Sequence, residues 1–202
     1  MSQTQASEQL SYEELQQQLQ HAELAAERAL SELMVLQQRQ ALTQYCHTPT
    51  SQRMQQLLQF LLKHAERHRS GFALMFVQLD HFQKIHHEHG TALAEQLIER
   101  TLTRLTAAVR QCDSVAQLGS DQFLLLITDV SRIYDTVLVA EKLMQKLAMP
   151  NGLPVPASAT SVSIGISRFP EDGKDATLLI ERAAASMLHA QNRGGNQFSL
   201  LR

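Results

Sequence analysis

The sequence predicts an α/β fold: a central sheet of about five strands flanked by helices and preceded by a long N-terminal helix. Three observations predict it. A heptad stripe runs near the N-terminus, strand-like and helical stretches alternate after Gly71, and a Gly119-Ser120-Asp121 turn sits between two apolar runs.

The stripe starts after Tyr12, where Leu15, Leu19, Ala22, Ala26, Ala29, Leu33 and Leu36 follow one another at alternating spacings of four and three. Such a seam stays on one side of a helix and is buried only when a second helix packs along it, so residues 12–36 are expected to pair two copies of the chain. The alanines bring helices close but bury little area, which leaves parallel and antiparallel pairing, and folding back of a single helix, as alternatives. Tyr45 to Ser51 contains Pro49 and breaks the period, which separates a signalling helix, 1–44, from a globular domain, 45–202. A second amphipathic helix follows, with Met54, Leu57, Leu58, Leu61, Leu62 and Ala65 on its apolar face, ending near Arg69-Ser70-Gly71.

Phe72 to Leu79 is an apolar run suited to a buried strand, and Ala92 to Val109 repeats leucines at helical spacing. Ser114 to Leu118 and Gln122 to Thr128 read as the two arms of a hairpin. A helix over Ser131 to Ala148, a strand over Val162 to Phe169, a helix over Ala176 to Asn192 and a strand over Gln197 to Leu201 complete the order βα(α)ββαβαβ.

Composition narrows the function classes. The 202 residues are 44% hydrophobic and carry 18 basic against 20 acidic side chains, a formal charge of -2, which offers no broad cationic surface for nucleic acid. The start MSQTQASEQLSYEE lacks the basic and apolar segments of a secretory signal, and the stretch Phe72 to Val77 is far shorter than the roughly 20 residues needed to cross a bilayer. A soluble, cytoplasmic protein is expected, with Cys46 and Cys112 as ordinary thiols.

Four motifs, in order and at matching distances, resemble the GGDEF domain family, the diguanylate cyclases that condense two GTP molecules into cyclic di-GMP. They are LDHFQKIHHEHG (Leu79 to Gly90), RQCDSVAQLGSDQF (Arg110 to Phe123), SVSIGISRFPEDG (Ser161 to Gly173) and NRGGNQF (Asn192 to Phe198), and the resemblance spans about Tyr45 to Arg202. It implies the family's central sheet with the signature at the tip of a β-hairpin.

The resemblance also implies a damaged active site. Attack of a 3′ hydroxyl on an α-phosphate needs metal ions, and Mg²⁺ needs carboxylate oxygens. The family's metal-holding aspartate on the first strand falls at Gln78; the second signature glycine is Ser120 and its last acidic residue is Gln122, leaving Asp121 as the one carboxylate of the turn. The guanine-reading asparagine falls at His86, although Glu95 keeps the carboxylate expected nine positions later. The triphosphate-gripping lysine and arginine fall at Gln191 and Gly195, with Arg193 nearby as a partial substitute. An upstream DxLTGLxNR-like motif is reduced to Thr48 and Arg53. These departures imply a catalytically inactive regulatory protein with no resident cofactor, Mg²⁺ being needed only if activity survives. The alternative is an active or conditionally active diguanylate cyclase.

Arg110 and Asp113 match the family's RxxD inhibitory pattern at the family's distance before the signature. The resemblance implies a cyclic di-GMP receptor site, in which a guanidinium fork meets phosphate or guanine acceptors and a carboxylate takes the guanine N–H groups. The simpler reading is a helix-terminal cation followed by a turn aspartate. An unidentified signalling protein is the expected partner. Histidines at 81, 86, 87 and 89 with Glu88, and the one-turn pair His64 and His68, raise the question of metal binding; solvated helix faces are the alternative.

Overall fold

The computed structural model describes residues 49–130, 132–150, 152–154 and 161–200, together with the helical positions His21, Ala22 and Ala25. The chain divides into two units, Met1–Ala41 and Leu42–Arg202, and the described residues fall almost wholly in the second. Apart from Ala22, the predicted heptad seam lies outside them, as does the motif remnant at Thr48. Among the described residues no helix is long and apolar enough to cross a membrane.

Among the residues described from Pro49 onward, ten elements follow in order: α1 (Pro49–His68), β1 (Phe72–Leu79), α2 (Phe82–His89), α3 (Thr91–Ala108), β2 (Ser114–Gln117), β3 (Gln122–Ile127), α4 (Ile133–Ala148), β4 (Val162–Phe169), α5 (Ala176–Asn192) and β5 (Phe198–Leu200). They build one five-stranded sheet in the order β2-β3-β1-β4-β5. The sheet is mixed: β4 and β5 run parallel, and the other three pairings are antiparallel.

β1 is apolar except for Gln78 because it is the middle strand of a sheet covered on both faces. Successive side chains alternate between the faces. Met75, Val77 and Leu79 join Phe123, Leu125, Ile164 and Ile166 in one core under α2, α3 and α4. Phe72, Leu74 and Phe76 join Leu124 and Leu126 in the other, under α1 and α5. The apolar stripe of α1 supplies Met54, Leu58, Leu62 and Ala65 to that second core.

The stretch SVSIGIS acquires a physical reason here. Ile164 and Ile166 fill one core, while Ser163, Gly165 and Ser167 face the other side and let α5 approach closely. A Cβ on Gly165 would stand 1.9 Å from the Ala183 carbonyl oxygen and 2.1 Å from the Met187 nitrogen. Ser167 Oγ donates to the Leu179 carbonyl at 2.7 Å, and Ser186 Oγ returns a bond to the Ile166 carbonyl at 3.3 Å.

Element ends shift by a residue or two from the sequence expectation for local reasons. Leu118 leaves β2 because its N–H closes the hairpin turn on the Gln122 carbonyl at 2.8 Å. Thr128 leaves β3 because its N–H is given to the Asp113 carboxylate at 2.9 Å. From within α3, Arg104 donates to the Leu147, Met149 and Pro150 carbonyls and so satisfies acceptors left open at and just past the end of α4.

Candidate functional site

The register of the central strands assembles the signature. β1 and β3 pair Gln78 with Gln122, and the Asp121 carbonyl accepts the Leu79 N–H at 3.0 Å. The hairpin tip therefore folds back against the end of β1. Gln78 Nε2 donates to Asp121 Oδ2 at 3.1 Å, and Gln122 Nε2 donates to Gln78 Oε1 at 3.3 Å. Ser120 Oγ lies 3.5 Å from Asp121 Oδ1, at the outer limit of a hydrogen bond.

The orientation of the Gln78 amide follows from this chain, since turning it over would set its oxygen against the carboxylate. Asp121 is buried, and burial pushes its carboxyl above the usual value of 3.8, opposed by the Gln78 amide, its own backbone and Ser120. For a divalent cation the arrangement offers one carboxylate, already accepting from an amide whose positive end points into the space between strands. That donor set does not suit Mg²⁺.

A second buried acid stands beside this network. Asp80 accepts Ser161 Oγ at 2.8 Å, Ser163 Oγ at 2.7 Å and the Asn196 N–H at 2.9 Å. Its carboxyl group is thus held by Ser161 just before β4, by Ser163 in β4 and by the loop before β5. The loop bends around it through Gly194, Gly195 and Asn196, all with positive φ (110°, 71° and 50°). A Cβ on Gly195 would lie 3.0 Å from Asp80 Oδ2, so a larger side chain there would be strained in its backbone and crowded by the acid. The sequence reading did not single out Asp80; a carboxylate directly after a buried strand was the available signal.

Next to the hairpin tip, a cavity of about 290 Å³ is lined by Phe82, Gln83, His86, Thr91, Ala94, Glu95, Ile98 and Ser120. It brings His86, Glu95 and Ser120 together. His86 Nε2 lies 3.3 Å from Thr91 Oγ1, and its ring stacks loosely on Phe82 with centroids 6.3 Å apart. Gln191 is half-buried near the end of α5, and Arg193 is exposed just beyond it. Among the described residues no group of three or more His, Cys, Asp or Glu side chains is arranged to hold a metal ion.

Arg110 and Asp113 lie at the opposite end of the β2–β3 hairpin. Asp113 closes a turn on both sides: its N–H donates to the Arg110 carbonyl at 3.0 Å, and its Oδ2 accepts the Arg110 N–H at 2.9 Å. Oδ1 accepts the Thr128 N–H at 2.9 Å and Thr128 Oγ1 at 3.3 Å. The turn therefore fixes the carboxylate and leaves the Arg110 side chain exposed beside it. Both residues line a cavity of about 400 Å³, to which α4 contributes Asp135, Leu138, Val139 and Lys142. A larger cavity, about 730 Å³, lies at the Phe72 and Phe169 end of the sheet and touches none of the signature residues.

A mixed sheet carrying a turn signature on a hairpin between two layers of helices is also what the comparisons identify. The family model "Diguanylate cyclase, GGDEF domain" matches residues 41–197, and the chain belongs to the GGDEF domain family. Over 141 residues it is 33% identical to the bifunctional diguanylate cyclase/cyclic di-GMP phosphodiesterase MucR of Pseudomonas aeruginosa, covering 70% of this chain and 20% of MucR. The chain thus spans about a fifth of that relative. The solved GGDEF domain of TpbB (YfiN) from Pseudomonas aeruginosa superposes with a TM-score of 0.72 at 25% identity, covering 78% of this chain and 92% of that one. The GGDEF domain of DgcB from Caulobacter crescentus, solved in complex with c-di-GMP, shares the fold with a TM-score of 0.61 at 18% identity, over 72% of this chain and 86% of that one.

Proposed function

We propose that this chain is a catalytically inactive GGDEF protein of bacterial cyclic di-GMP signalling. It acts in the cytoplasm through contact with another signalling protein, binds cyclic di-GMP through Arg110 and Asp113, and pairs through the helix at residues 12–36. One observation carries the loss of catalysis: Gln78 Nε2 donates to Asp121 at 3.1 Å where a metal-dependent cyclase needs facing carboxylates. The missing lysine and arginine point the same way, since Gln191 and Gly195 bring no charge to a triphosphate.

The receptor part is supported by preorganisation. Asp113 is held by three donors and Arg110 stands free of its backbone turn, so a ligand would meet a fixed acceptor beside a guanidinium fork. Lys142 adds a second cation to the same cavity, beside the carboxylates of Asp113, Asp129 and Asp135. The DgcB domain, which shares the fold, was crystallised with c-di-GMP.

The rival reading is an active or conditionally active cyclase. It draws on the cavity that still holds Glu95 and on TpbB, described as a diguanylate cyclase and 28% identical over 143 residues. Incubation of the purified chain with GTP and Mg²⁺ or Mn²⁺ separates the two. We expect no cyclic di-GMP above a buffer control, and steady formation would establish the cyclase. Light scattering of the full chain against a truncation starting at Ser51 tests pairing; equal monomer masses would refute it.

A further inference from the structure

Helix α1 carries two imidazoles that neither the signature nor the Arg110 cavity uses. His64 and His68 are one helical turn apart, and both are exposed. Their ring centroids lie 4.3 Å apart with planes inclined by 32°. The exposed Phe60 ring continues the same stripe one turn earlier, 6.1 Å from His64. The core face of the helix is occupied by Met54, Leu58, Leu62 and Ala65, so the histidine pair stands on the outer side.

We propose that His64 and His68 form a two-nitrogen surface site for a borderline transition-metal ion of the Ni²⁺, Cu²⁺ or Zn²⁺ class. Two imidazoles bound to one ion at about 2.0–2.1 Å in adjacent positions have ligating nitrogens roughly 3 Å apart. Residues four apart on a helix share a face, and rings already within 4.3 Å reach that separation by side-chain rotation alone. Because the helix fixes both ligands in advance, the second nitrogen binds as an intramolecular step at high effective concentration.

The donor set selects the ion. Nitrogen ligands suit borderline metals and are poor for Mg²⁺ or Ca²⁺, which take oxygen. Lys63 and Arg67 next to the pair oppose a cation and Glu66 favours it, so the attraction comes from the nitrogen donors rather than from net charge. Water completes the coordination, which makes the ion exchangeable. In the other described cluster no two of His81, His86, His87 and His89 are four residues apart, and in its three-apart pair, His86 and His89, the His86 Nε2 already lies 3.3 Å from Thr91 Oγ1. The proposal stands independently of the cyclase reading.

The test is calorimetric titration of the chelator-treated full chain with NiCl₂ in a non-coordinating buffer. His64→Ala and His68→Ala should each remove one site, or weaken it by about tenfold or more. The double variant Glu66→His with His68→Gln keeps the number of histidines but sets the rings two residues apart, on different faces, and should lose the site as well. His87→Ala should leave the titration unchanged. A site that persists in the His64, His68 and double variants, or a native chain that binds no Ni²⁺ at about a hundred micromolar, would overturn the assignment. All four positions are exposed, so the variants retain the fold.

Discussion

The Gln78 side-chain amide donates to the Asp121 carboxylate at 3.1 Å, joining the end of the central strand to the tip of the signature hairpin. An amide donor and a cation satisfy the same carboxylate in different ways. The amide supplies a fixed partial charge without the coordination sphere that phosphoryl chemistry uses. The hairpin is thereby held closed by the chain itself.

Removing that donor should cost stability. Gln78→Ala leaves the buried Asp121 without its main side-chain partner and Gln122 without its acceptor, a loss of about 1–3 kcal/mol. Chemical denaturation at neutral pH checks it, and a change within about 0.3 kcal/mol would mean that the pair is idle.

The raised carboxyl of Asp121 gives a signed pH dependence. An acid whose folded value lies above its unfolded one holds more protons in the folded state between the two, so stability falls as pH rises through that window. The contribution is full below 3.8 and lost once the pH has passed the raised folded value. Asp121→Asn should therefore flatten the stability profile above pH 3.8 relative to the native chain, as read from melting temperatures across a pH series. A variant profile parallel to the native one would contradict the assignment.

Asp80 is expected to be the costlier acid to lose. Ala at this position leaves Ser161, Ser163 and the Asn196 N–H without their acceptor, and roughly 3 kcal/mol or more should disappear. Hydrogen exchange gives a local check: in Asp80→Ala the Asn196 amide should lose its protection through local opening, while the β1 amides fall only by the loss of global stability.

Gly165→Ala should be among the most damaging single-methyl additions in the domain. Its new carbon meets the backbone of α5 rather than a flexible side chain, so α5 has to move off the sheet, at about 3 kcal/mol. Thermal denaturation would show it, and Ser163→Ala serves as a milder reference on the same strand.

At the other end of the hairpin, Arg110→Ala should weaken cyclic di-GMP binding by about tenfold or more without changing the fold. Thr128→Val tests the supporting geometry. It removes the hydroxyl donated to Asp113 and keeps the backbone bond, so a smaller loss of affinity is expected, read by calorimetry. Equal affinities in all three proteins would remove the receptor proposal.

Much of this architecture was legible before any coordinates. β1 shows in the sequence as a largely apolar run and β4 as a strand-like stretch alternating small polar residues with isoleucines, and their observed limits, Phe72–Leu79 and Val162–Phe169, coincide with the expectation. The hairpin announced itself through Gly119-Ser120-Asp121. What remained hidden depends on partners far along the chain. Asp80 is held by residues 81 to 116 positions away, and no local pattern reveals that. The reading placed Gln78 and Asp121 at family positions, but only the antiparallel register turns their side chains toward each other. The sequence allows Asp113 to be a ligand residue or a turn former, and in the structure it closes the turn and also lines the cavity.

The most direct measurement is manganese binding at the signature, followed by the electron paramagnetic resonance of Mn²⁺ during titration of the full chain in the presence of GTP. No bound Mn²⁺ whose signal depends on residue 121 is expected. A Mn²⁺ population present in the native chain and abolished by Asp121→Asn would contradict this expectation.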